Sequence, residues 1–222
     1  MIPVVLASQS PARRQILTAS GIDPLIVVSK VDEHAIETAF SGTVADLTTN
    51  LSEAKARAVV DRTLTSPPPT LDEADTVVVL AGDSLLEHAG RPIGKPGTAE
   101  RTREVWASIA GDWTSLHSGH TLAVLQRTDG PSANLELVDI RSKRSTTSVL
   151  IGTPTPEELE AYIATEEPFH VAGALTIDGY GGAFVDRLEG DHLTVLGLSL
   201  PVVRDLVREA GLFWPDLWSP RE

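Results

Sequence analysis

The chain opens on an apolar run at 2–7 that stops at Ser8-Gln9-Ser10-Pro11. A run that short and continuous reads as a buried strand, and serine ahead of a proline at a first helical position is a helix-start signal. The stretch from Arg13 to Ser20 places Ile16 and Leu17 on one side and ends at Gly21, so strand, tight turn and helix are predicted in that order. A second strand follows at 24–28, then a polar loop carrying Asp32 and Glu33. From Val44 to Leu64 the spacing of Leu47, Leu51, Ala54, Ala58 and Val59 is helical, and Ser66-Pro67-Pro68-Pro69 ends it in a loop.

Thr76 to Ala81 is unbroken by polar residues, as in a central strand covered on both faces, and Gly82-Asp83-Ser84 is placed at its end. A hairpin over 85–94 with its turn at Ala89-Gly90 leads through Lys95-Pro96-Gly97 to a helix at 98–109. Two long strands follow, 112–126 and 135–150, joined by a polar loop from Thr128 to Ser132. Pro156 starts a helix to Ala164, the glycine-rich segment from Gly173 to Gly190 holds a strand at 183–188, and a last helix covers 201–210. Strands and helices alternate early and paired strands dominate the middle, which predicts an α/β protein on a mixed sheet. The tail from Phe213 holds Trp214 and Trp218 and is expected to pack on the body or on a second subunit.

Composition narrows the function classes. At 222 residues, with 41% hydrophobic and 22% charged residues, the chain can bury a real core. No apolar run approaches the roughly 18 residues that suggest a membrane span. Met1 leads directly into Ile2-Pro3-Val4 with no basic leader, so a cytoplasmic location is the expectation. There is no cysteine, which excludes disulfides, thiol catalysis and thiolate-bound zinc. A net charge of −13, from 31 acidic and 18 basic residues, opposes binding of duplex nucleic acid and makes no nucleic-acid partner the expectation. Any anion site must therefore be built locally, from the few basic residues set in glycine- or serine-containing turns.

Four segments could build it. In Leu6-Ala7-Ser8-Gln9-Ser10-Pro11-Ala12-Arg13-Arg14, a helix N-terminus with serine hydroxyls and an Arg fork suits a phosphate; equally, Ser10 is a simple cap and the arginines are surface charges. Asp83 after a buried strand lies where α/β proteins bind ligands, placed to hold a metal or take a proton from water, or it is a turn residue. Lys95 is held by Gly94 and Pro96, either as a point charge for phosphate or as an exposed turn lysine. Lys55, in a helix, reads on its own as a solvated charge. The fourth segment is Gly173 to Val185, where so much glycine signals close backbone approach to a ligand or only a flexible loop. No Walker-type loop is present, which weakens an ATPase or GTPase reading. His117 and His120 lie three apart in a strand, facing opposite sides, so a shared metal is not expected.

In order, the chain carries Leu6-Ala7-Ser8-x-Ser10-Pro11-x-Arg13, Val31-Asp32-Glu33, Lys55-Ala56-Arg57-Ala58, Gly82-Asp83-Ser84, Gly94-Lys95-Pro96, Gly173-Ala174, Leu188-Glu189-Gly190-Asp191 and Val195-Leu196-Gly197-Leu198. This succession, over 2–208, resembles the Maf family of nucleoside triphosphate pyrophosphatases, also called septum formation inhibitors. The resemblance implies an elongated α/β fold with two lobes around a central cleft within 1–212, the tail 213–222 lying outside it. It also implies a homodimer and a divalent cation, Mg or Mn. By the same resemblance Ser8, Arg13, Lys55 and Lys95 bind phosphate, Glu33 belongs to an acidic metal and water site, and Asp83 is the proton acceptor and a metal ligand. The reaction implied is attack of water at the α-phosphorus of a (d)NTP, standard or modified, giving the monophosphate and pyrophosphate. A nucleotide-sensing regulator of cell division that does not turn its ligand over is the alternative.

The chain departs from the family pattern at four positions. Ala12 stands where many members have Arg, Ser84 where Thr is frequent, Asp178 where Gln is found, and Thr114 where many have His. Positions 12, 84 and 178 belong to the family's base-discriminating set, so Ser84 and Asp178 are expected to contact substrate while the preferred base stays open.

Overall fold

A computed structural model describes residues 1–128 and 134–219. Most of the loop expected from Thr128 to Ser132, and the last residues of the tail, lie outside the described residues. One seven-stranded mixed sheet organises the chain, in the order β2-β1-β3-β5-β6-β7 with β4 paired to β3. The strands are β1 (Val4–Leu6), β2 (Leu25–Ile26), β3 (Thr76–His88), β4 (Arg91–Ile93), β5 (Trp113–Arg127), β6 (Leu135–Ile151) and β7 (Val185–Glu189). The helices are α1 (Pro11–Ala19), α2 (Glu33–Ala39), α3 (Val44–Thr65), α4 (Ala99–Ile109), α5 (Pro156–Ile163), α6 (His192–Leu196) and α7 (Leu200–Glu209). Pairing of β1 with β2 and β3 is parallel, and every other pairing is antiparallel. None of the described helices is long and apolar enough to cross a membrane.

Alternation along β3 separates two cores. Val78 and Leu80 point into a cluster with Leu6, Leu17 and Ile22, Leu122 on β5, and Val203 and Leu206 of α7. Val77, Val79 and Ala81 point the other way, into Ala56, Val59 and Val60 of α3 and Leu125 of β5. A third cluster, around Trp106, Ile109, Val149 and Tyr162, fills the far end of the sheet. The tail packs on the body: Leu217 is buried in the first cluster, and the Ile2 amide donates to the Asp216 carbonyl at 2.6 Å.

Two sequence expectations need correction, and both concern the site. The polar loop expected at Asp32 and Glu33 is a helix start. Asp32 caps α2, its carboxylate accepting from the Ala35 amide at 3.0 Å, and Glu33 is the first helical residue. Asp83 does not follow a strand end either. β5 runs beside β3 as far as Glu87, so pairing carries the strand through Gly82-Asp83-Ser84 and on to His88. The other partner gives out instead: β1 pairs with β3 only through Leu80, and β4 begins pairing at Leu86.

Candidate functional site

Between β1 and β4, one edge of β3 from Ala81 to Leu85 lacks a neighbouring strand among the described residues. At about 3.4 Å per residue this is a gap of roughly 17 Å. The Val78 amide donates to Pro3 and the Leu80 carbonyl accepts from Ala7, so even-numbered residues turn their backbone groups toward β1. The same alternation directs the N–H and C=O of Gly82 and Ser84 into the gap. Just beyond the end of β1, Ser8 and the N-terminus of α1 stand at its mouth. Ser10 caps that helix as the sequence predicts, its Oγ accepting from the Arg13 amide at 3.4 Å, with Pro11 in the first turn.

On the α1 side of β3 lies Arg13. Its Nε donates to the Gly197 carbonyl at 2.8 Å, Nη1 to Ser8 Oγ at 3.2 Å and Nη2 to Ser84 Oγ at 3.0 Å. Gly82 makes this possible, because a Cβ there would sit 3.1 Å from Arg13 Nε. All three acceptors are uncharged. Burial lowers the Arg13 pKa from its ordinary value, and the nearby Asp83 and Glu33 carboxylates act in the opposite sense. A guanidinium has five N–H donors and stays charged in proteins, so two remain for a ligand. Ser8 Oγ also accepts from the Ser10 amide at 3.1 Å. With both lone pairs used, its hydroxyl is left to donate, the polarity that a phosphate oxygen needs.

On the opposite side, α3 carries Lys55 over Asp83. Thr48, Ser52, Lys55, Ala56 and Val59 form its buried face, at helical spacing. The helix can lie this close because Gly119, registered opposite Asp83, has no side chain: a Cβ there would come within 2.2 Å of the Thr48 carbonyl oxygen. Ser52 Oγ meets Thr121 Oγ1 at 2.8 Å and fixes the crossing further. Lys55 Nζ is then 2.6 Å from Asp83 Oδ1 and 3.0 Å from Glu33 Oε2. Lys55 and Asp83 are buried, whereas Glu33, at the start of α2, is half exposed. The reading of Lys55 as a solvated charge, natural from its helix alone, is thereby overturned.

Six of the eight expected residues (Ser8, Arg13, Ser84, Glu33, Lys55 and Asp83) are thus joined into two neighbouring hydrogen-bond and ion-pair networks. Lys95 and Asp178 are exposed and belong to neither. Lys95, in the β4–α4 connection, lines a groove of about 630 Å³ with Arg91 and Arg101. Its loop docks on the glycine-rich segment and on the turn just before it: the Gly173 amide donates to the Gly94 carbonyl at 3.4 Å and the Gly97 amide to the Phe169 carbonyl at 3.1 Å. Asp178 lies within that segment, in a loop clasped by Glu167, whose carboxylate accepts from the Tyr180 and Gly181 amides at 3.0 and 3.1 Å. Burial pushes the Glu167 pKa up, and those two amides together with the side chains of Tyr162 and Thr176 outweigh it to leave the group below its ordinary value.

The sequence reading missed the layer behind Arg13. Ser118 Oγ is 2.7 Å from Ser84 Oγ and donates to the Thr194 carbonyl at 2.9 Å. His120, fully buried, accepts from the Ser199 amide at 2.8 Å through Nε2. Burial first, and then the Arg13 charge, bring its pKa down to about 4, so the ring is neutral. His117 has other partners, Thr146 at 2.8 Å and Glu87 at 3.2 Å. The one available signal was the clustering of His117, Ser118, His120 and Thr121 inside a strand that a core must cover on both faces.

A cation fork and a two-carboxylate cluster meet at a gap in a mixed sheet, an arrangement whose chemistry suits a protein that works on phosphate esters and anhydrides. The chain belongs to the Maf-like protein family, which matches residues 3–210. It is 42% identical over 218 residues to a protein of Saccharopolyspora erythraea named nucleoside triphosphate pyrophosphatase, covering 97% of each chain. Proteins of the same name from Rhodococcus erythropolis and Nocardia farcinica are each 42% identical, over 98% and 97% of this chain and 97% and 96% of theirs.

Proposed function

We propose that this chain hydrolyses nucleoside triphosphates to the monophosphate and pyrophosphate, as its family and the names of its relatives suggest. The observation that carries the reading is the meeting of Arg13, Ser8 and the α1 N-terminus with the Glu33–Lys55–Asp83 cluster at one break in the sheet. In this mechanism Arg13, the Ser8 hydroxyl and the amides at the start of α1 bind the polyphosphate. Lys55 has three donors, two of them spent on Glu33 and Asp83, and the third reaches a phosphate oxygen. Asp83 holds Lys55 through Oδ1 and takes a proton from water through Oδ2. The water oxygen bonds to the α-phosphorus as the α–β bridging bond breaks, and pyrophosphate leaves with the electron pair. Lys95 contacts the polyphosphate and Asp178 the nucleoside, both from the docked loops.

Glu33 and Asp83 would hold a divalent cation such as Mg or Mn. Both offer hard oxygen donors, and Mg sites commonly consist of one or two carboxylates completed by substrate phosphates. When bound, such a cation would supply positive charge against the negative charge developing on the phosphate oxygens. The homodimer and the cytoplasmic location expected from the sequence belong to the same proposal; sedimentation of the purified chain tests the first.

The decisive experiment incubates the purified chain with a mixture of NTPs and dNTPs and Mg or Mn, and identifies the products. Equal amounts of pyrophosphate and monophosphate are expected. Release of orthophosphate would overturn the assignment of the scissile bond. Binding without any product would favour the nucleotide-sensing regulator instead.

A further inference from the structure

Hydroxyl bookkeeping behind Arg13 assigns a role to a buried residue so far without one. A serine hydroxyl has one proton to donate and two lone pairs to accept with. The carbonyl of Thr194 can only accept, so Ser118 spends its proton there, at 2.9 Å. In the 2.7 Å contact between Ser84 and Ser118, Ser84 is therefore the donor. Arg13 Nη2 meanwhile fills one Ser84 lone pair at 3.0 Å. Ser84 is left with a single lone pair, on a partly exposed residue at the rim of the gap.

We infer that Ser118 is a positioning residue that sets the polarity of Ser84, making it a pure acceptor toward the nucleotide. The group meeting Ser84 must then carry an N–H or O–H, and a carbonyl or ring nitrogen presented there is rejected. The inference deepens the proposed function and rests on it, since it concerns the base preference of the same site. Ser118 and Thr194 are fully buried, on β5 and α6, so neither touches the ligand. Their effect passes entirely through Ser84. Replacing Ser118 with Ala frees the Ser84 proton to turn outward while Arg13 still donates to its oxygen, and the site then accepts either polarity.

The test measures kcat/KM for matched triphosphate pairs that differ in donor and acceptor at one edge, CTP against UTP and ATP against ITP. It uses the full chain as wild type, Ser118→Ala, Ser84→Ala and the double variant. Where the wild type separates the members of a pair, Ser118→Ala is expected to narrow that ratio by about tenfold, the scale of one hydrogen bond's discrimination. In the Ser84→Ala background, Ser118→Ala should change the ratio no further, a coupling that a merely structural role would not produce. An unchanged ratio in Ser118→Ala, an equal change in both backgrounds, or a wild type indifferent to every pair overturns the inference while leaving hydrolysis intact. If the wild type releases no pyrophosphate, the proposed function fails, and the same ratios read as dissociation constants still decide the role of Ser118. Absence of any nucleotide binding overturns both.

Discussion

The two cations at the sheet gap are held in opposite ways. Arg13 rests on three uncharged oxygens, from Gly197, Ser8 and Ser84, so its own charge is uncompensated by direct pairing. Lys55 sits between two carboxylates, and one positive against two negative groups leaves a net negative charge on that side. In the proposed mechanism the Arg13 side receives an anion, while Lys55 keeps a carboxylate in place and the surplus negative charge beside it suits a cation. A chain with a net charge of −13 can thus present an anion site, because the local field is set by what each cation touches rather than by the total.

Substitutions that remove one side and keep the other break this comparison most sharply. Asp83→Asn should lower kcat by about 10²–10⁴-fold, the usual worth of a general base, with the chain still folded by circular dichroism. Near-normal turnover would remove Asp83 from the mechanism. Lys55→Met leaves the buried Asp83 carboxylate without its partner, and about 3 kcal/mol of stability should go with it in urea unfolding. A change under about 0.5 kcal/mol would mean that the ion pair is replaced by solvent. Arg13→Lys keeps the charge and loses the fork. KM for triphosphate should rise about 10–100-fold while kcat changes less, since charge-assisted bonds are lost in the ground and transition states alike.

Smaller effects sharpen the contrast. His120 supports the Arg13 side by accepting from Ser199, and it titrates at about 4 when folded. Between that value and the ordinary 6.5 the unfolded chain binds the extra proton, so stability is complete above pH 6.5 and is lost as pH falls toward 4. The loss should approach 3 kcal/mol at about 1.4 per pKa unit, and His120→Gln, which offers a non-titrating acceptor, should flatten that segment of the stability profile. A profile unchanged by the substitution would place the acid sensitivity elsewhere. Lys95→Ala should raise KM only about fivefold, the scale of one exposed charge.

The helical face of α3 was legible from the spacing of Leu47, Leu51 and Val59, and the hairpin turn from Ala89-Gly90. Arg13 and Asp83 were legible as candidates because each stands in a local context that constrains it. Lys55 was not, since the property that matters, a helix crossing over Asp83, is tertiary. The start of α2 was missed because its seven residues bury none of their side chains and so show no apolar period. Asp83 was placed at a strand end because apolar continuity stops at Ala81, although a strand can continue through polar residues where its β5 partner persists. Ser118 and His120 showed only as polar residues in an otherwise apolar strand, because hydrogen-bond direction depends on neighbours far away in sequence.

The glycine on β5 beneath α3 has a bearing on how this protein tolerates change. Gly119 contributes no functional group, and the atoms that a methyl group would strike are backbone atoms of the overlying helix, which have no rotamer to yield with. Even alanine there must lift or tilt that helix, and Lys55, seven residues along it, moves too. Drift at this silent position would disable the enzyme while leaving every chemical participant in the sequence intact, so an inventory of site residues alone would call such a variant competent.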